Sequence, residues 1–224
     1  IFLREPNQDY DDFYVDPEKT GHPEFDNRVW VGADSIIFAR FLKKYLKNKS
    51  FNRAIEIGSG TGILTIICSE FAKSFEAIDY NKRAVQYTKL NVDINTISNI
   101  KTSYSNMFEN VEGKFDFMLA APWFVDLKEG GLEEVPDILK GLKNYLTSDG
   151  LCLMTLNSYV KNGKDPNIEY FKNFIKSTGY NIDLYTMGYN IERKRIQDWK
   201  KNNIDYCVGY FAVMKKNGEG RLKR

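Results

Sequence analysis

With 224 residues, 42% of them apolar and 28% charged, the chain is long enough for one well-filled core and too short for two generous domains. A net charge of +2 calls for no polyanionic partner, and no apolar run reaches the length of a membrane span. Cys68, Cys152 and Cys207 stand apart in apolar stretches and His22 is the one histidine, so the usual zinc ligand sets are excluded; no metal is expected, and reduced thiols in a cytoplasmic protein are.

Residues 1–30 are acidic and aromatic without periodicity and read as a strap or lid; 31–216 read as the main domain and 217–224 as a basic tail. His22, in the turn Gly21-His22-Pro23, reads as a solvent-facing loop residue. Asp34 holds the place of a helix N-cap, and Ile37, Phe38, Phe41, Leu42, Tyr45 and Leu46 follow at helical spacing as far as Asn48. A strand is predicted over 53–57, then a glycine turn, a helix over 62–72, a strand over 75–79 and a helix over 81–93. Strands over 99–104 and 115–120 come next, and Gly130-Gly131 leads into a helix over 132–147. Asp149-Gly150 reads as a turn into the apolar strand 151–156. A helix over 167–178, a strand over 181–187, a short helix over 191–202 and a long alternating strand over 205–214 complete the chain. Strands alternating with helices place the fold in the α/β class: seven strands, a mostly parallel sheet with an antiparallel last strand, and helices on both faces.

Positions 56–62 read Glu-Ile-Gly-Ser-Gly-Thr-Gly, and Asp79 closes the next strand. Strand, glycine turn, helix, strand, acid is the layout of a nucleoside-binding half of a doubly wound, Rossmann-like sheet. The glycines let the backbone approach a ligand, and the acid can accept from two ribose hydroxyls. A dinucleotide fingerprint needs its third glycine at 63, where this chain has Ile63. A carboxylate at Glu56 also disfavours a pyrophosphate at the turn, whereas it suits a ligand bearing a sulfonium and an ammonium. The bland alternatives are a turn that merely tightens a strand–helix junction, and an Asp79 that caps the helix after it.

Gly58-x-Gly60-x-Gly62 with Glu56 before it and Asp79 after it resembles motif I of the class I S-adenosylmethionine (AdoMet) dependent methyltransferases. The resemblance implies AdoMet as cofactor, held by Glu56, Gly58, Ser59, Gly60, Thr61, Gly62 and Asp79, with Tyr80 packing on adenine. After the third strand, related enzymes carry an acid and an apolar residue that grip the adenine. Here Asn106 and Met107 stand there, and the Asn106 carbonyl can still accept from an amine; a plain turn asparagine is the rival reading.

Ala121-Pro122-Trp123-Phe124, after the fourth strand, resembles the Asn-Pro-Pro-Tyr/Phe motif of amino-methylating members, closest in look to the small-domain methyltransferases. The resemblance makes these four the acceptor site. Ala121 removes one amine-orienting acceptor, the Pro122 carbonyl keeps the other, and Trp123 and Phe124 add stacking surface, which implies a planar acceptor: aromatic, heteroaromatic or amide-like. Trp30 to Ile37 is similar to the Val-Gly-Thr-Asp-x-Leu-Leu stretch of small-domain adenine-N6 RNA methyltransferases, so Asp34 either faces the AdoMet amino group or caps its helix.

The functional expectation is therefore methyl transfer to a planar group on a small molecule, an RNA base or a protein side chain. Two rivals stand beside it: a silent AdoMet-binding scaffold, and an N6-adenine RNA methyltransferase-like enzyme with a divergent motif. An oxidoreductase is disfavoured by the glycine spacing. Arg193-Lys194-Arg195, Lys200-Lys201 and the basic tail, with Tyr189 and Trp199 nearby, read either as a nucleic-acid footprint or as a solvated surface.

Overall fold

The computed structural model describes residues 29, 31, 33–122, 134–187, 200–216 and 220–224. The expected strap, His22, Trp123, Phe124, Gly130-Gly131, the basic run 193–195, Tyr189, Trp199 and most of the 191–202 helix lie outside the described residues. The elements in chain order are α1 (Ala33–Leu46), β1 (Phe51–Ile57), α2 (Ile63–Cys68), a 3-10 turn (Ser69–Phe71), β2 (Ala72–Asp79), α3 (Lys82–Ile94), β3 (Ile100–Tyr104) and β4 (Phe115–Ala120). They continue with α4 (Val135–Tyr145), β5 (Leu146–Val160), α5 (Pro166–Thr178), β6 (Tyr180–Thr186), β7 (Tyr206–Lys216) and β8 (Leu222–Lys223). Contacts divide the chain into two units, Ile1–Ala121 and Pro122–Arg224.

In the first unit β1 runs between β2 and β4, parallel to both, and β3 lies outside β2, giving the order β3-β2-β1-β4. A strand covered on both faces reads as a continuous apolar run, and Ala54 to Ile57 are all buried, with Glu56 the one charged member. Phe38, Leu42 and Leu46 recur at helical spacing on α1 and are fully buried; each contributes on the order of 2 kcal/mol through the apolar surface it removes from water. Phe117 stacks on Phe51 at 4.7 Å between centroids and meets Phe75 edge-on at 6.2 Å. The entry end of the sheet is pinned by charge. Asp116 accepts from the backbone amides of Asn52 and Arg53 at 2.8 and 2.9 Å, and Arg53 reaches Glu76 at 2.6 Å. The opposite end, where β1 and β2 finish, is left to the turns.

In the second unit β7 pairs antiparallel with β5 on one side and β6 on the other, and β8 runs parallel to β6. The antiparallel last long strand is as expected. The eighth strand is one more than the seven expected: Leu222 pairs with Ile182 and Lys223 with Asp183, inside what the sequence presents only as a basic tail. The expected Asp149-Gly150 turn does not form. Gly150 is not among the left-handed glycines, and β5 runs through it unbroken. A Cβ on Gly150 would lie 2.6 Å from Leu146 Cγ, so this glycine serves close packing and not a change of direction. Asp165 caps α5, accepting from Ile168 N at 3.2 Å with Pro166 in the first turn. Among the described residues no helix is long and apolar enough to cross a membrane.

Candidate active site

Everything at the carboxyl end of β1 is organised by β2. Gly58 and Ser59 both donate their amides to the Ile78 carbonyl at 2.9 Å. The Asp79 carboxylate takes Gly60 N on Oδ2 at 2.8 Å and Asn81 N on Oδ1 at 2.9 Å, so one buried side chain bridges the turn after β1 and the turn after β2. Burial raises the Asp79 pKa above its usual range, while the backbone amides of Asn81, Gly60 and Tyr80 act against that rise. The cap of α3 is Asn81, whose side chain accepts from Arg83 N at 2.9 Å; Asp79 is therefore not the helix cap.

Gly58, Gly60 and Gly62 have φ of +73°, +55° and +80°, a left-handed run that L side chains rarely adopt. Their surroundings differ. Among the described residues a Cβ on Gly58 or Gly60 would meet no atom within 4 Å, whereas on Gly62 it would meet Thr88 Cγ2 at 2.8 Å. The turn is thus packed tightly at its helix end and open at its tip.

Glu56 lies beneath the turn, 1% exposed, and accepts a hydrogen bond from the Thr65 hydroxyl of α2. Burial pushes its pKa up to about 8, against the Thr65 hydrogen bonds and with a smaller upward push from Asp79. Thr61 is also buried, and its Oγ1 has no hydrogen-bond partner among the described residues.

At the end of β3, Ser105 N donates to the Asp79 carbonyl at 3.0 Å, which ties the third strand's exit to the same carboxylate turn. Met107 holds φ +47°, a strained value for a non-glycine residue, and the Ser105 hydroxyl donates to its carbonyl at 2.8 Å. Asn106 and Tyr80 are exposed, and Asn106 Nδ2 donates to Glu109 Oε1 at 3.1 Å. Beyond β4, Ala121 is half-buried and Pro122 buried. Asp34 is exposed and is the second residue of α1, inside its first turn and not at the N-cap the sequence suggests.

The structure therefore gathers Glu56, the turn Gly58 to Gly62 and Asp79 at the ends of β1 and β2, with the Ser105–Met107 corner attached to them. Sequence reading misses Thr65, Thr88, Asn91 and Ser105. Their signal was available as polar residues standing where a helix or strand end should be apolar: Thr88 and Asn91 fall on the buried stripe of α3 with Ala84 and Val92.

The model of the methyltransferase small domain matches residues 34–179. The chain belongs to that family. A protein of Methanocaldococcus jannaschii, provisionally assigned as a protein N5-glutamine methyltransferase, is 31% identical over 181 residues, 73% of this chain and 84% of that protein. The ribosomal protein L11 methyltransferase of Thermotoga neapolitana is 37% identical over 81 residues, 36% of this chain and 30% of that enzyme. Among solved structures, the ribosomal protein L11 methylase of Lactobacillus delbrueckii subsp. bulgaricus superposes with a TM-score of 0.60 at 19% identity, over 84% of this chain and 82% of that one. An N-methyltransferase of Bradyrhizobium japonicum in complex with S-adenosylhomocysteine (SAH) superposes with a TM-score of 0.59 at 11% identity, over 83% and 88%. The small-domain methyltransferase described here is thus an AdoMet-dependent enzyme with an α/β, Rossmann-like fold. Among its described residues no group of three or more His, Cys, Asp or Glu is placed to hold a metal ion.

Proposed function

We propose that this methyltransferase binds AdoMet at the turn Gly58 to Gly62 and transfers the methyl group to a planar, amide-like acceptor, with 31–216 as the working domain. The observation that carries the donor site is the Asp79 bridge between Gly60 N and Asn81 N. Each Asp79 oxygen holds one amide, which leaves each with capacity for one ribose hydroxyl. The residues fit the donor in two further ways: among the described residues the turn tip is open at Gly58 and Gly60, and the buried Thr61 hydroxyl has no partner. Tyr80, Asn106 and Met107 stand beside the Asp79 turn on the adenine side of this reading, and Asp34 keeps its place at the start of α1.

AdoMet supplies an activated methyl group on a sulfonium. The chain's own task is then to hold, orient and exclude water. Burial raises the Glu56 pKa, and a cation held at the turn would lower it again, favouring the carboxylate. On the acceptor side Ala121 offers no hydrogen-bond acceptor, so the Pro122 carbonyl carries the amine-orienting contact, and the aromatic Trp123 and Phe124 suit a flat group. As the nitrogen gains the methyl group it gives up one proton; neither Ala121 nor Pro122 is a base, so that proton leaves to solvent. The Methanocaldococcus relative supports a side-chain amide as that nitrogen.

Calorimetry with AdoMet, SAH and NAD tests the donor: binding of the first two and not the third is expected. Transfer of labelled methyl groups to glutamine-containing peptides, RNA and small metabolites tests the acceptor. Label in RNA or metabolites alone would replace the amide, and no label in any pool would sink the acceptor reading.

A further inference from the structure

Two side chains of α3 reach under the glycine turn, and nothing in the reading above uses them. Thr88 and Asn91 are one helical step apart on the buried face, each 0% exposed. Thr88 Oγ1 donates to the Gly60 carbonyl at 3.0 Å, and Asn91 Nδ2 donates to the Thr61 carbonyl at 2.9 Å. With the Thr88 proton so engaged, the Ser59 hydroxyl is the donor across the 3.1 Å Ser59–Thr88 contact. Three consecutive turn residues are therefore anchored to one helix by side chains alone.

The anchoring fixes which way the peptides face. In a planar trans peptide, the carbonyl of one residue and the N–H of the next point in opposite directions. Holding the Gly60 carbonyl against α3 turns the Thr61 N–H away from that helix, and this N–H makes no hydrogen bond among the described residues. Holding the Thr61 carbonyl turns the Gly62 N–H instead into a 2.7 Å bond with the Ser59 carbonyl. Thr61 is left with two uncommitted groups, its amide and its buried hydroxyl.

We propose that Thr88 and Asn91 are positioning residues for the methyl donor: by locking the Gly60 and Thr61 carbonyls onto α3 they present the Thr61 amide and hydroxyl as a donor pair for the carboxylate at the donor's amino-acid end. The proposal rests on the turn being the AdoMet site. Without the clamp, the left-handed glycines leave these peptides free to flip and to offer carbonyl oxygens to an anion.

The test uses the full chain, calorimetry, and two probes: SAH, which has the amino-acid end, and 5'-methylthioadenosine, which lacks it. Thr88→Val keeps the shape and removes the hydroxyl; Thr88→Ser keeps the hydroxyl and removes the methyl. Thr88→Val is expected to weaken SAH by about tenfold and to leave 5'-methylthioadenosine within about twofold, the loss expected for one hydrogen-bonded anchor. Thr88→Ser is expected to bind both probes within about threefold of the parent. Asn91→Leu should follow Thr88→Val; if it does not fold, the Thr88 pair decides alone. The clamp is overturned if Thr88→Ser is the weaker of the two, which marks a packing role, or if Thr88→Val leaves SAH unchanged or weakens both probes equally. Failure of the underlying donor site looks different: the parent chain would not bind SAH, or Asp79→Ala would bind it equally well.

Discussion

Both units of this methyltransferase bury polar side chains, and they do so to different ends. In the first, Thr88, Asn91, Thr65 and Asp79 spend their hydrogen bonds on the turn after β1 and on the carboxyl beneath it, and leave its tip open and Thr61 Oγ1 unmatched. In the second, Asp165 accepts from the Ser158 and Tyr210 hydroxyls and from Ile168 N, so one carboxylate joins β5, β7 and the start of α5. The burden on Asp165 is structural, and Tyr210, with its hydroxyl committed to that carboxylate, has its pKa driven far up by burial and by Asp165. A buried polar cluster is thus not in itself a binding site. What separates the two is what the hydrogen bonds hold: a glycine turn at strand ends in the first, a strand pair and a helix start in the second.

That contrast can be broken at several points. Gly62→Val should be the most damaging change, because it combines φ +80° with a 2.8 Å approach to Thr88 Cγ2 and 3.3 Å to its Cα; a loss above about 3 kcal/mol in urea unfolding is expected. Gly60→Ala meets no neighbour and should cost only ~1 kcal/mol in the same measurement. Asp165→Ala should come next, at about 2–3 kcal/mol, since it strands two buried hydroxyls and removes a cap; SAH affinity should not change. Asp79→Ala reverses the pattern, with SAH binding weakened by roughly 1–3 kcal/mol. An unaltered affinity there would show that the ribose is held elsewhere.

A smaller effect concerns acidity. The folded-state pKa of Glu56 is raised to about 8 from an ordinary 4.5, so the folded chain keeps a proton that the unfolded chain gives up between those values. Stability from this group is therefore greatest below pH 4.5 and falls as pH rises toward 8, with a slope of at most ~1.4 kcal/mol per pH unit. Urea midpoints taken across that window should flatten in Glu56→Gln, and a slope of the opposite sign would contradict the assignment. Ala121→Asn should change least, leaving turnover within about threefold, because the neighbouring Trp123 has replaced the second proline of the related motif. A large gain would mark the motif as a decayed amine site.

Much of the first unit was legible because its signals are local. The glycines at 58, 60 and 62, Asp79, and the apolar run 115–120 place three strand ends without knowledge of any contact, and β4 falls on Phe115–Ala120 as expected. The anchors on α3 were not read: their place on its buried stripe marks them as polar groups in need of a partner, but does not name the turn 28 to 30 residues earlier that they hold. Likewise Asp149-Gly150 carries a turn's residue types, yet β5 runs through both, with the Leu146 side chain filling the space beside Gly150. Leu222-Lys223 reads as tail because a two-residue strand has no periodicity to detect.

The outer position of β3 has a consequence for solubility. Among the described residues its outer side is an unpaired row of amides and carbonyls onto which another chain could polymerise, and such rows seed fibrils when long, flat and greasy. Five residues is short, and Lys101, exposed in its midst, sets a charge where an invading strand would have to lie. On this flank the enzyme sets an ammonium in the way of such an addition.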